Sequence, residues 1–419
     1  MNSDPALSSS ILALLEKGVR MPLPSAVDID PTVRIERISG ENVVFYPGTR
    51  ISGETTLIAP RVRLGAEGPV TLSDCQLAPG VELKGGYFKG SVFLDKANMA
   101  AGAHVREGCL LEEESNGAHS VGLKQTILFP FVTLGSLINF CDCFMAGGTS
   151  RKNHSEVGSS YIHFNFTPNQ DKATASLIGD VPRGVMLNQP PIFLGGQGGL
   201  VGPLRLGYGT VVLAGTVLRG DHPDGGKLLG QNRPAAYEMS FHQGFYADVK
   251  RRVRNNVIYV GNMLALKLWY RHARRPFMTR SEWGRAVFEG ALGRLDLIVA
   301  ERIERLRQLS EKMDLSIRIA EKTTSSPQRE TLIRQAREFQ EHWPVMEKAL
   351  NAGQEEDMET EARGRFLQTF LEPKESGGDY LQAVRCLDHD VARLGTAWLQ
   401  GVVDGLSRRA LECLPSFLP

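Results

Sequence analysis

The stretch Leu194-Gly-Gly-Gln-Gly-Gly-Leu200-Val-Gly-Pro-Leu-Arg-Leu206-Gly-Tyr-Gly-Thr-Val-Val212-Leu-Ala-Gly-Thr-Val-Leu218 places an aliphatic residue at every sixth position. An earlier run keeps the same beat at Val81, Tyr87, Phe93, Met99, Val105 and Leu111. A period of six matches neither the 3.6 of an amphipathic helix nor the 2 of a half-buried strand. It does match a hexapeptide β-helix, in which each six-residue unit forms one side of a triangular coil. The apolar residue points into the coil, and a glycine or other small residue takes the tight corner. Glycine follows the apolar position at Leu64-Gly65, Leu134-Gly135, Leu194-Gly195 and Leu206-Gly207. The solenoid is expected over residues 51–220, and at three hexads per coil this span holds roughly nine coils.

Working outward, residues 1–50 carry a short helix over Ser8 to Lys17, with Ser8 to Ser10 available as caps. The prolines and alternation of residues 21–50 read as short strands leading into the solenoid. Two polar interruptions, Gly147 to Ser155 and Pro182 to Pro191, read as excursions from its wall. Beyond Asp221-His-Pro-Asp-Gly-Gly226, glycine thins out and three-and-four spacing takes over, so 221–419 is expected to be an α-helical domain. Its helices are expected over 239–272, Arg285 to Glu321, Pro327 to Ala352, Asp357 to Leu371 and Tyr380 to Leu411, with a turn at Glu372 to Asp379. The fold class is a β solenoid plus α: a parallel β-helix followed by a C-terminal helical domain.

A net charge of +1 provides no global field for nucleic acid or a membrane surface. Residues 247–286 hold ten Lys or Arg against two acids. They read as a solvated helix face, as partners of the acids in Glu355 to Glu361, or as a site for an anionic partner. No apolar stretch is long enough for a membrane span, and no signal peptide is read at Met1 to Arg20. The six cysteines lack paired CxxC spacing; Cys141 and Cys143 read as small solenoid residues, not zinc ligands. These features point to a reduced, cytoplasmic protein.

Arg106 and Lys124 stand 18 residues apart, the length of one three-hexad coil, so they are expected to stack on one face. A planar guanidinium beside a compact ammonium suits a phosphate, although two unrelated surface cations would give the same spacing. Residues 103–220 resemble the left-handed β-helix of the GlmU family, bifunctional enzymes joining a uridyltransferase (pyrophosphorylase) to a glucosamine-1-phosphate acetyltransferase. The resemblance is carried by Arg106-Glu-Gly108, Lys124 and Leu134-Gly-Ser-Leu-Ile-Asn-Phe-Cys-Asp142. It continues in Val157-Gly-Ser-Ser-Tyr-Ile-His-Phe-Asn165, Leu177-Ile-Gly-Asp180 and Leu206 to Val217. It implies a left-handed coil, and it places Arg106 and Lys124 at the sugar phosphate, Asn165 and Lys172 at the sugar, and Ala214 at a main-chain contact to acetyl-CoA or another acyl-CoA.

The departures from that family bear on catalysis. Ser136 stands where the family has its histidine base, Asn139 replaces a tyrosine, and Glu156 replaces an asparagine. A serine does not accept a proton near neutral pH as imidazole does. His163, two residues before Asn165, is the candidate substitute base, and His154 a weaker one. The short stretch before the solenoid leaves no room for the family's uridyltransferase half. Two readings stay open. One is an acyltransferase acting on an amino-sugar phosphate or a nucleotide-sugar such as UDP-N-acetylglucosamine. The other is a non-catalytic binding or scaffold protein whose helical domain recruits a partner. The resemblance also implies a homotrimer, with Phe129, Phe131, Phe140, Phe144, Phe164 and Phe166 as candidates to cover an exposed wall. The competing arrangement folds the helical domain back over that wall.

Overall fold

In the computed structural model, which describes residues 7–165, 167–230, 238, 240–323, 328–355, 360–371 and 379–417, the chain winds through three parallel sheets of ten, eight and ten strands. Each strand pairs with its counterparts one coil before and one coil after. The first wall runs from Asp28–Ile29 to Val217–Leu218, the second from Val44–Phe45 to Leu228–Leu229, and the third from Leu57–Ile58 to Arg205–Leu206. Together they form a left-handed parallel β-helix followed by helices. Pairing starts at Asp28 with Arg50 and ends at Leu229 with Val212, so strands lie on both sides of the 51–220 span.

The interior follows strand alternation. Phe88, Val105, Leu123, Phe140 and Leu200 fill it from the first wall, while Leu77, Phe93, Leu111, Leu128 and Met145 do so from the third. Tyr87 departs from the expected beat: it faces outward, half-buried and stacked on His104 at 4.9 Å, while Phe88 takes the interior place. The cause is coil length. Thr71 pairs with Tyr87 sixteen positions on, and Tyr87 with His104 seventeen positions on, so an eighteen-residue beat slips there. Shorter coils also fit more strands than the nine coils expected.

The helices are α1 (Ser9–Glu16), α2 (Val181–Gly184), α3 (Val249–Trp269), α4 (Arg275–Met278), α5 (Glu282–Ser310), α6 (Met313–Thr323), α7 (Gln328–Glu355), α8 (Thr360–Phe370), α9 (Tyr380–Arg385) and α10 (His389–Leu411). Ser8 caps α1 by accepting from the Ile11 N–H at 3.3 Å, and α1 packs on the first strand, Asp28–Ile29. Two expected helices are broken. The 285–321 helix divides at Glu311 and Lys312, and the 380–411 helix divides where Asp388 takes extended backbone before α10. Pro327 and most of the Glu372 to Asp379 turn lie outside the described residues.

The helical domain folds back over the third wall. From Leu57 to Leu177 its outward column, Leu57, Gln76, Val92, Leu110, Ile127, Phe144 and Leu177, is buried and apolar except at Gln76. Helix α5 crosses the strands at Leu57–Ile58, Gln76–Leu77 and Val92–Phe93, and α3 crosses Ser176–Ile178. Removing this column from water is the main driving force for docking. Four of the phenylalanines considered for a subunit contact are used within the chain. Phe140 lies inside the coil; Phe129 meets Phe144 edge-on at 4.7 Å, and Arg385 lies over the Phe131 ring at 4.8 Å. Phe164 remains exposed, and Phe166 lies outside the described residues. The basic run is partly consumed as well; of the acids of Glu355 to Glu361, 356–359 lie outside the described residues. Arg251 and Arg252 pair with Asp248, Arg252 also with Asp171, and Arg274 with Glu112 and Glu113.

This register makes neighbouring aromatic residues unequal. Phe88→Ala should destabilise the protein by about 3–5 kcal/mol, whereas Tyr87→Ala should cost about 0.5–1.5 kcal/mol for the lost stacking. Urea unfolding of both variants measures the difference; equal losses would contradict the inward placement of Phe88.

Candidate functional site

Strand alternation turns two rows of the first wall outward. One row runs Tyr87, His104, Gly122, Asn139 and Ile162. The other carries Lys89, Arg106, Lys124, Cys141 and Phe164. Its register is set by the pairing of Val105 with Leu123 and of Lys124 with Cys141, and by the Arg106 N–H donating to the Leu123 carbonyl at 2.8 Å. Arg106 and Lys124 therefore stack on successive coils, about 4.8 Å apart along the wall. Lys89 adds a third cation one coil earlier, a feature the eighteen-residue spacing concealed because it lies seventeen residues from Arg106. Glu107 partly neutralises the row, at 3.4 Å from Lys89 and 3.9 Å from Arg106. Among the described residues Lys124 pairs with no carboxylate.

Cys141 closes the cationic part of the row. Burial and neighbouring Asp142 push its thiol pKa up, opposed by Lys124, Arg106 and Lys172. All three cations are thus close enough to act on the Cys141 thiol. Lys172 arrives on a loop that leaves the first wall after Phe164 and re-enters the third wall at Ser176. Asn165 starts that loop and donates its amide to Asp142 at 3.4 Å; Asp142 in turn faces Arg302 of α5 at 2.9 Å.

The other candidates are dispersed. Asn139 is exposed one row over, its amide oxygen 4.0 Å from the Cys141 sulfur. Ser136 sits at the corner between the second and first walls, where its backbone N–H donates to the Ser159 hydroxyl at 3.2 Å. Glu156 is exposed on the second wall between Thr133 and Phe193. Ala214 is exposed at the Ser136 corner three coils further on, where a side chain on neighbouring Gly195 would meet its backbone nitrogen at 2.3 Å. The excursions at Gly147 to Ser155 and Pro182 to Pro191 leave from the corner between the third and second walls. The first forms a two-stranded hairpin carrying a half-buried His154, and the second contains α2, under α3 and α10.

His163 points inward. Its neighbours Ile162 and Phe164 are outward, and its own ring is buried, with Nε2 2.7 Å from the Ser176 hydroxyl. A group so placed does not reach a ligand outside the solenoid. The exposed imidazole on this wall is His104, on the same face as Arg106 and next to the bare backbone of Gly122. The sequence signal was its alternation with Val105, which was not used.

No protein-family model matches the chain. Over 226 residues, 54% of its length, it is 27% identical to the bifunctional protein GlmU of Thermotoga maritima, covering 45% of that protein. With GlmU of Nitratidesulfovibrio vulgaris strain Hildenborough it is 25% identical over 229 residues, 53% of this chain and 44% of the relative. The chain thus spans less than half the length of the curated relatives it matches. The solenoid is a left-handed β-helix of the GlmU type.

Burial of His163 has a measurable consequence. Loss of solvation holds its imidazole pKa down at about 4, against 6.5 in the unfolded chain. A depressed histidine binds its proton more readily when unfolded, so its contribution to stability is present above pH 6.5 and lost as pH falls toward 4. The loss reaches about 3 kcal/mol. Urea unfolding between pH 7 and pH 4 should show a smaller pH dependence for His163→Gln than for the parent protein. An identical profile would place the imidazole in solvent.

Proposed function

We propose that the first wall binds a phosphorylated sugar or nucleotide-sugar, and that the protein is a ligand-binding member of hexapeptide acyltransferase descent. The observation that carries this reading is the stacking of Arg106 and Lys124 on successive coils beside Cys141, with Asn165 at the root of the loop that brings Lys172 within electrostatic reach. Cations from two coils and a loop suit the several oxygens of a phosphate. Asn139 and Asn165 offer neutral donors and acceptors for hydroxyl groups. An acyl-CoA would run along the corner at Ala214, where exposed backbone without bulky side chains allows a main-chain contact. Work on such metabolites would place the protein in the cytoplasm; among the described residues, no helix is long and apolar enough to cross a membrane.

Binding is favoured over catalysis because Ser136 provides no proton acceptor and His163 is enclosed. A second reading, amino-sugar acyl transfer, is favoured by one observation: His104 presents an exposed imidazole in the outward row that contains Asn139. There it would take the proton of the attacking amine as the nitrogen–acyl bond forms and the thioester carbon–sulfur bond breaks, with CoA leaving as a thiolate that is protonated in turn.

Three copies of the chain would complete the site. Phe193, Val211 and Leu228 are exposed and pair in register on the second wall, with exposed Leu137 and Leu213 at the adjoining corner. Such an apolar strip next to the cationic wall suits a subunit seam.

Replacing Arg106 or Lys124 by Ala should weaken binding of glucosamine 1-phosphate by about 1.5–3 kcal/mol each, read by calorimetry. Unchanged affinity in both variants would remove this site. Light scattering should give about three times the 46.1 kDa chain mass; a chain-sized particle at micromolar concentration would exclude a shared site.

A further inference from the structure

The loop that carries Asn165 and Lys172 is fastened by the helical domain along its length. Asn169 accepts from the Gly244 N–H at 2.7 Å, donates to the Phe245 carbonyl at 3.3 Å, and has its own carbonyl bonded by the Lys312 ammonium at 2.7 Å. Asp171 is paired with Arg252 at 3.2 Å. The Lys172 carbonyl accepts from Arg302 at 3.2 Å, and the Ala173 carbonyl from Asn256 at 3.1 Å. Arg302 also binds the Gln125 amide oxygen at 2.6 Å and Asp142 at 2.9 Å, and Asp142 accepts from Asn165. Arg302, Asn256 and Asp171 are almost wholly buried, so these bonds do not compete with water.

The coil holds this loop only near its two ends, through Asp142, which accepts from Asn165 at 3.4 Å and from Thr174 at 3.5 Å. Between them Lys172 is exposed, and its carbonyl and those of Asn169 and Ala173 are bonded from the helical domain. We propose that the helical domain positions the ligand loop, with Arg302 as the principal positioning residue and Lys312, Arg252 and Asn256 as further ties. The ammonium of Lys172 is held beside Lys124 and Arg106 because its own carbonyl is anchored to α5. The site on the first wall is thereby incomplete without the helices on the third. Naming the loop's ligand as a sugar phosphate rests on the reading above; the mechanical dependence of the loop on the helices does not.

The test uses the full chain and two measurements. Hydrogen exchange of a 165–175 peptide reports the loop without any ligand, and calorimetry with glucosamine 1-phosphate reports the site. Arg302→Lys and the milder Lys312→Ala, at a half-buried position, are compared with Arg305→Ala. Arg305 is on the same helix but bonds Glu301 and Gln308 instead of the loop. Exchange in 165–175 should rise about fivefold in the first two variants and not in the third, with an affinity loss of similar size. Strands 122–124 and 139–141 should keep their protection, which separates loop loosening from general destabilisation. Unchanged exchange of the loop in both variants overturns the proposal, as does faster exchange with full affinity. Absence of sugar-phosphate binding by the parent protein would refute the ligand assignment alone, and loop exchange would then decide the positioning role.

Discussion

Arg274 is fully buried between the solenoid and the helices, and its charge is met by Glu112 at 2.9 Å and by Glu113. The rings of Tyr380 and Tyr270 lie 4.0 and 4.7 Å from its guanidinium carbon. It projects from a π-helical turn, Tyr270–Arg274, that extends α3 toward the wall. Burial, together with the neighbouring carboxylates of Glu112 and Asp95, raises the Glu113 pKa to about 8, against the opposing pull of Arg274. Such a group adds little net stability compared with an apolar replacement, but losing one partner costs about 3–5 kcal/mol. Its value lies in alignment. The third wall repeats every coil, so an apolar helix face could slide by one coil, about 4.8 Å, and meet nearly the same surface. Glu112 and Glu113 occur on one coil only, and Gln125 and Asp142 under Arg302 lie at one corner of two successive coils. The buried charges remove the near-degeneracy that a repeating wall creates.

The solenoid was legible because its interior tolerates only an apolar residue at each hexad, and that constraint writes a period into the chain. Tyr87 shows where it stops. A coil shortened to sixteen residues shifts the beat without removing it, and one aromatic residue replaces its neighbour. The third wall was not legible as a helix dock. Its partners lie far apart in sequence, as Arg274 and Glu113 do, and Arg274 stands in a run of cations whose composition alone suggests a solvated face. At the site, the stacking of Arg106 and Lys124 followed from spacing. The enclosure of His163 could have been read from the same alternation that turns Ile162 and Phe164 outward. Resemblance drew attention to its nearness to Asn165, although the outward faces belong to Ile162 and Phe164, one step to either side on the strand. The ligand loop was visible only as an insertion of altered length, because its fastening comes from groups between 75 and 143 residues downstream.

Coverage of the third wall decides which surfaces remain for ligands and for other copies. A triangular coil is convex, so its adjoining walls face away from each other. Glu156 on the second wall and Lys124 on the first cannot both meet a small ligand within one chain, except at their shared corner. If the candidate residues act together, the second wall of a neighbouring copy must lie against the first wall of this one. The helices leave both walls open, and the exposed apolar residues in register, Phe193, Val211 and Leu228, lie on the second wall only. Loop and seam would then hold the same ligand from opposite sides. The helices would fix Lys172 from the third-wall corner, and a neighbour would close the corner at Ser136. On that arrangement the cationic row would keep its geometry whatever residues stand at the other corner, because the two ends of the site would be set by different parts of the assembly.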